Sequence, residues 1–140
     1  MPTPQAPAIL RIMVYSDDRT VRRAVVTALG TRPDPSLPEL ELVEVATGPV
    51  AVKTADAGGL DLMILDGEAT PYGGLGLARQ FKDEIHRCPP ILVLTGRPQD
   101  AWLAAWSRAE AVVSHPIDPG RLADAVSGLL HRRLPAVITT

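Results

Sequence analysis

Cys88 is the only cysteine in this 140-residue chain. One thiol closes no intrachain disulfide and builds no cysteine-based metal site, and such usage suits a reducing compartment. Aromatic residues are also scarce, with one Phe, two Tyr and two Trp, so the core has to be assembled from Ala, Val, Leu and Ile. Excess positive charge is missing as well. The net charge is −2, and the basic residues are scattered apart from Arg22-Arg23 and Arg132-Arg133. That leaves no stripe able to follow phosphates, and no nucleic acid is expected to bind directly. No apolar run approaches the roughly 18 residues that span a bilayer. The Pro-rich start Met1 to Pro7 lacks the charged and apolar regions of a signal peptide. The expectation is a cytoplasmic protein with no direct membrane insertion. A hydrophobic fraction of 46% against 21% charged residues argues against disorder. The length suits one domain, expected over residues 9–132 between a tail at 1–8 and another at 133–140.

What is present is a set of isolated polar residues, each at the carboxyl end of an apolar run. Asp17 and Asp18 close Ile12-Met13-Val14-Tyr15-Ser16, and Asp66 closes Leu60-Asp61-Leu62-Met63-Ile64-Leu65. Thr95 closes Ile91-Leu92-Val93-Leu94, and His115 closes Ala111-Val112-Val113-Ser114. The runs alternate with segments of helical spacing, which predicts an α/β fold: a doubly wound, five-stranded parallel sheet with five helices. Strands are expected at 10–16, 40–46, 60–65, 91–94 and 111–114. Helices are expected near 19–29, from 49 to the glycines at 58 and 59, after the glycines at 73, 74 and 76, near 99–109, and at 118–131. Gly30 is placed as a C-terminal stop and Asp118 as an N-cap. In such sheets the ligand crevice lies at the strand C-termini. Three acids, a hydroxyl and an imidazole are therefore expected in one pocket. Three carboxylates crowd together only if a cation offsets their repulsion, and Mg²⁺ takes oxygen ligands.

With these residues in register, residues 9–132 resemble the receiver domain of two-component response regulators, which has a flavodoxin-like fold. The resemblance rests on the acids after the first strand, Asp66 after the third with Gly74 and Leu75 following, Thr95 after the fourth and His115-Pro116 after the fifth. It implies phosphoryl transfer from a phosphohistidine, in a sensor histidine kinase, to Asp66. It also implies weak Mg²⁺ binding by Asp17, Asp18 and Asp66, and a switch formed by Thr95 and the residue at 115. Three positions depart from the family pattern. Ser16 stands at the first place of the acidic pair, with Asp17 at the second. His115 replaces the family's lysine, and histidine is shorter, with an ordinary pKa of about 6.5 in place of a permanent charge. Val112 stands where an aromatic residue is usual.

Several residues also have plainer readings. Asp17 or Asp18 can cap the first helix, Thr95 can bond backbone, and His115 can be structural. Gly73-Gly74-Leu75-Gly76 lacks the lysine of a phosphate loop. Glu68 and Arg97, each two places beyond a pocket residue, are expected to meet above Asp66. Trp102 and Trp106 share a helix face; either they pack in the core or at least one is exposed. With Arg108 and Arg121 they form the expected partner surface, on the fourth helix, fifth strand and fifth helix. The favoured reading is a stand-alone, atypical receiver that acts by protein–protein interaction, with phosphorylation of Asp66 weak or lost, and not an enzyme. The alternatives are a conventional Mg²⁺-dependent phosphoacceptor and a small α/β nucleotide-binding protein or enzyme.

Overall fold

The computed structural model describes residues 9–133, so both predicted tails lie outside the described residues apart from Arg133. The elements run β1 (Ile9–Tyr15), α1 (Arg19–Leu29), β2 (Glu39–Val45), α2 (Gly48–Ala57), β3 (Leu62–Asp66), α3 (Gly74–Glu84), β4 (Ile91–Thr95), α4 (Trp102–Ser107), β5 (Ala111–Ser114) and α5 (Pro119–Arg133). All strand pairs are parallel, in the order β2-β1-β3-β4-β5. The chain reverses direction across the sheet between β1 and β3, and that switch point opens a crevice at the strand C-termini. The register pairs Tyr15 with Leu65, Asp66 with Leu94 and Thr95 with Ser114. Ser16, Asp66, Thr95 and His115 therefore arrive at one edge.

The sheet separates two apolar layers. Leu10, Ile12, Val14, Leu62 and Ile64 pack toward α1 and α5, whose Val25, Leu29, Leu122, Val126, Leu129 and Leu130 complete one layer. Met13, Tyr15, Met63 and Leu65 alternate to the other face, against Ala51, Ala55, Leu77, Ala78 and Phe81 of α2 and α3. Every side chain of β3 is buried, and truncating one of its Leu, Ile or Met residues to Ala would cost about 2–5 kcal/mol. Asp66 is thus mounted on a strand buried along its whole length.

Local chemistry sets the ends. The Asp18 carboxylate accepts from the Thr20 N–H at the start of α1, and Gly30, at φ 56°, donates to the Val26 carbonyl at its end. The Asp118 carboxylate accepts from the N–H groups of Gly120 and Arg121 at α5. The fourth helix is shorter than the predicted 99–109. A 3₁₀ turn, Pro98–Asp100, precedes it, and Arg108 in the left-handed region (φ 62°) closes it on the Ala104 and Ala105 carbonyls. Helix α5 extends through Arg133, one residue past the predicted domain boundary.

Candidate functional site

Asp66 ends β3 with only 2% of its surface exposed. A carboxylate at that depth is costly unless donors surround it, and three do. The Ser16 hydroxyl donates to Oδ2 at 2.7 Å, the Glu68 N–H donates to Oδ1 at 3.0 Å, and His115 Nε2 lies 3.2 Å from Oδ1. An ionised carboxylate only accepts, so Nε2 is assigned as the protonated nitrogen of that contact.

Ser16 itself is fully buried. Its Oγ accepts from the Asp18 N–H at 3.0 Å, and its carbonyl accepts from the Arg22 guanidinium at 2.7 Å. Arg22 is held in turn by Glu44 at 3.3 Å. The corner between β1 and α1 is therefore tied to the Asp66 carboxylate through one hydroxyl.

Asp17, Asp18, Val21, Asp66, Glu68, Gly96 and His115 line a cavity of about 420 Å³. Both acids after β1 are exposed. Asp17 accepts from the Thr70 hydroxyl at 3.2 Å. Asp18 is the α1 cap, and the Thr20 hydroxyl and N–H hold its carboxyl below the usual range. It plays both roles the sequence left open, capping the helix and lining the pocket. The donor set suits a small hard cation, since four carboxylate residues face the cavity and Mg²⁺ needs only one or two of them plus water. Among the described residues no three of His, Cys, Asp and Glu are grouped to hold a metal ion, so a cation here would keep much of its water.

Thr95 is buried at the end of β4, as its position predicts. Its hydroxyl lies between Ser114 Oγ at 3.2 Å and the Arg97 carbonyl at 3.4 Å, and it does not line the cavity. The expected Glu68–Arg97 contact gives way to a nearer partner. The Arg97 guanidinium binds Asp100 at 3.2 Å within the 3₁₀ turn, and the Asp100 carboxylate raises the Arg97 pKa above its ordinary value. Glu68 instead lies against Gly96, where an added Cβ would strike the Glu68 carboxylate. The room left by that glycine is taken by the Glu68 carboxylate at the rim of the cavity.

Sequence reading missed the anchor of the loop after Asp66. The Tyr15 hydroxyl donates to the Tyr72 carbonyl at 2.6 Å. Burial, with the charges of Asp17 and Asp66 adding to it, pushes the Tyr15 phenol above its ordinary pKa. The available signal was a lone tyrosine among aliphatic residues at the pocket end of a strand. Ser16 was visible as a departure, yet its bond to Asp66 could not be read without the register.

The residues expected to form one partner surface fall on two sides of α4. Trp102 and Trp106 are 66% and 46% exposed. Trp106 carries the Arg79 guanidinium of α3 over its ring at 4.9 Å, and Arg108 pairs with Asp83 of α3. Arg121 lines a larger cavity of about 690 Å³ along β5 and α5. The side chains of Trp106 and Arg108 thus meet α3, away from β5.

No family model matches this chain. Two response regulatory proteins of Mycobacterium tuberculosis are each 59% identical to it over 133 residues, covering 95% of this chain and 98% of theirs. The chain belongs to the response regulator family. A response regulator of Thermotoga maritima shares the fold at a TM-score of 0.69 and 21% identity, over 89% of this chain. This response regulator spans 54% of that protein's length. A second Thermotoga maritima response regulator, solved in complex with Mg²⁺ and BeF, matches at a TM-score of 0.71 and 26% identity, over 86% of this chain and 99% of its own. The five-stranded, five-helix arrangement of this response regulator is that of receiver domains. Among its described residues no helix is long and apolar enough to cross a membrane.

Proposed function

We propose that this response regulator acts by binding a protein partner, as a receiver in which phosphorylation of Asp66 is weak or lost. The observation that carries the reading is the state of the Asp66 carboxylate. Three internal donors already satisfy it, from Ser16, the Glu68 backbone and His115. A phosphoacceptor needs free lone pairs and a nearby cation to offset incoming negative charge. Among the residues that line this pocket the one basic side chain is the His115 imidazole, which lacks the long stem and permanent charge of a lysine.

Mg²⁺, present in the complex of one Thermotoga maritima relative, would be held weakly here by Asp66 and Asp17, with Asp18 already engaged as a helix cap. When bound, it would neutralise carboxylate repulsion at the pocket. Thr95, the expected switch hydroxyl, is already engaged with Ser114, which favours a receiver whose resting surface is its working surface. That surface would be centred on Trp102 and Trp106, because exposed Trp beside Arg is a common binding hot spot, with Arg79 and Arg108 beside Trp106 and Arg121 apart from it along β5 and α5.

The test is partner capture from extract of the source organism by the wild-type protein, Asp66→Asn and Trp102→Ala. Wild type and Asp66→Asn should retain the same partner equally, with or without a small phosphodonor, and Trp102→Ala should lose it. Capture that needs an intact Asp66 would overturn the reading.

A further inference from the structure

We infer that Ser16 is a positioning residue whose hydroxyl makes the Asp66 carboxylate a poor cation ligand, so that Ser16 sets how weakly this pocket binds Mg²⁺. The inference rests on the reading of Asp66 as the cation-facing group of a receiver pocket. A carboxylate offers about four lone-pair sites. The Ser16 hydroxyl takes one on Oδ2, and the Glu68 N–H and the His115 ring take two on Oδ1. One site remains.

The three donors are not equally replaceable. The Glu68 N–H belongs to the backbone of the turn after β3, where the Ala69 N–H also bonds the Asp66 carbonyl; no side-chain substitution removes it. His115 is partly exposed, and its contact is the longest of the three at 3.2 Å. Ser16 is fully buried, and its Oγ is fixed from behind by the Asp18 N–H at 3.0 Å, which aims its proton at Oδ2. This is the shortest of the three contacts to Asp66. A cation taking the remaining site on Oδ2 must share that oxygen with a well-ordered donor that already draws on its charge, while Asp18 is held by its cap with Thr20 and Asp17 by the Thr70 hydroxyl whatever stands at position 16. Substituting Ser16 by Ala removes the donor and leaves the neighbouring packing without extra volume.

The experiment is a Mg²⁺ titration followed by the backbone amide resonances of Asp18 and Glu68. It uses the full chain as wild type, Ser16→Ala, Asp66→Asn and the Ser16→Ala/Asp66→Asn double variant, with Ser16→Gly as a second hydroxyl-free form. The hydroxyl-free variants should bind Mg²⁺ about tenfold more tightly than wild type, which is about 1.4 kcal/mol, and the double variant should lose the response. Equal affinities in wild type and Ser16→Ala, both abolished by Asp66→Asn, would overturn the role of Ser16 and leave the receiver reading standing. A response absent from every form, or unaffected by Asp66→Asn, would overturn that reading of Asp66 and the inference with it.

Discussion

Gly74→Ala should destabilise this protein while Gly76→Ala, two residues along the same helix, should stabilise it. Gly74 is the first residue of α3, and a Cβ there would come within 2.7 Å of the Asp66 carbonyl carbon and oxygen and the Leu65 carbonyl carbon. All three are backbone atoms of a fully buried strand, so the helix start has to move. Overpacking of this kind costs about 1–3 kcal/mol, against a gain of about 0.4–1 kcal/mol from the restricted unfolded chain. The net loss should be about 1–2 kcal/mol, or roughly 4–8 °C in Tm for a domain of this size. At Gly76 nothing lies within 4 Å of the added Cβ, so only the gain remains, about 0.5–1 kcal/mol. Urea denaturation followed by circular dichroism measures both, and the Glu68 amide resonance should shift in Gly74→Ala alone. A Gly74→Ala midpoint equal to wild type, or shifts of the same sign in both variants, would refute the close approach of α3 to Asp66.

Three further outcomes are expected. His115→Lys should raise the yield or lifetime of phospho-Asp66 with a small phosphodonor, because a permanent ammonium would face the carboxylate; equal modification would show the imidazole to be an adequate substitute. Asp18→Ala should lower the Tm at neutral pH through loss of the α1 cap. The Asp18 carboxyl is held below its ordinary value in the fold, so its contribution is present above the unfolded pKa of about 3.9 and is lost as pH falls through the lower folded value. The Tm gap between wild type and Asp18→Ala should therefore close only on the acid side of about pH 4, and a gap unchanged in acid would assign the effect elsewhere. A double-mutant cycle on Arg79 and Trp106 should give a coupling of about 0.5–1 kcal/mol for an exposed cation–π contact, while Trp102→Ala alone should leave stability nearly unchanged.

Much of the fold was legible because each strand is a short apolar run ending in a polar residue, and that pattern survives whatever the loops do. The periodicity of α1 and α5, with Gly30 and Asp118 at their ends, was equally plain. Side-chain direction was not. Thr95 arrives at the predicted place, but its hydroxyl meets Ser114, a neighbour that only the β4–β5 register brings into reach. Arg97 was assigned to Glu68 by counting from the pocket, whereas Asp100 lies three residues away in a 3₁₀ turn and wins by proximity. The Trp pair could not be oriented because α4 is a six-residue helix, too short to bury a full face. Ser16 was conspicuous only as a missing acid. Its positive role follows from geometry, since a buried hydroxyl beside a buried carboxylate forms the hydrogen bond that each would otherwise lack.

The central claim, that the Asp66 carboxylate is already satisfied and takes phosphate poorly, is tested most directly by intact mass. Wild-type protein incubated with excess acetyl phosphate and Mg²⁺ at neutral pH should show only a minor species carrying one added phosphoryl group, and Asp66→Asn should show none. Rapid conversion of nearly all wild-type molecules to a singly phosphorylated form, abolished by Asp66→Asn, would contradict the account.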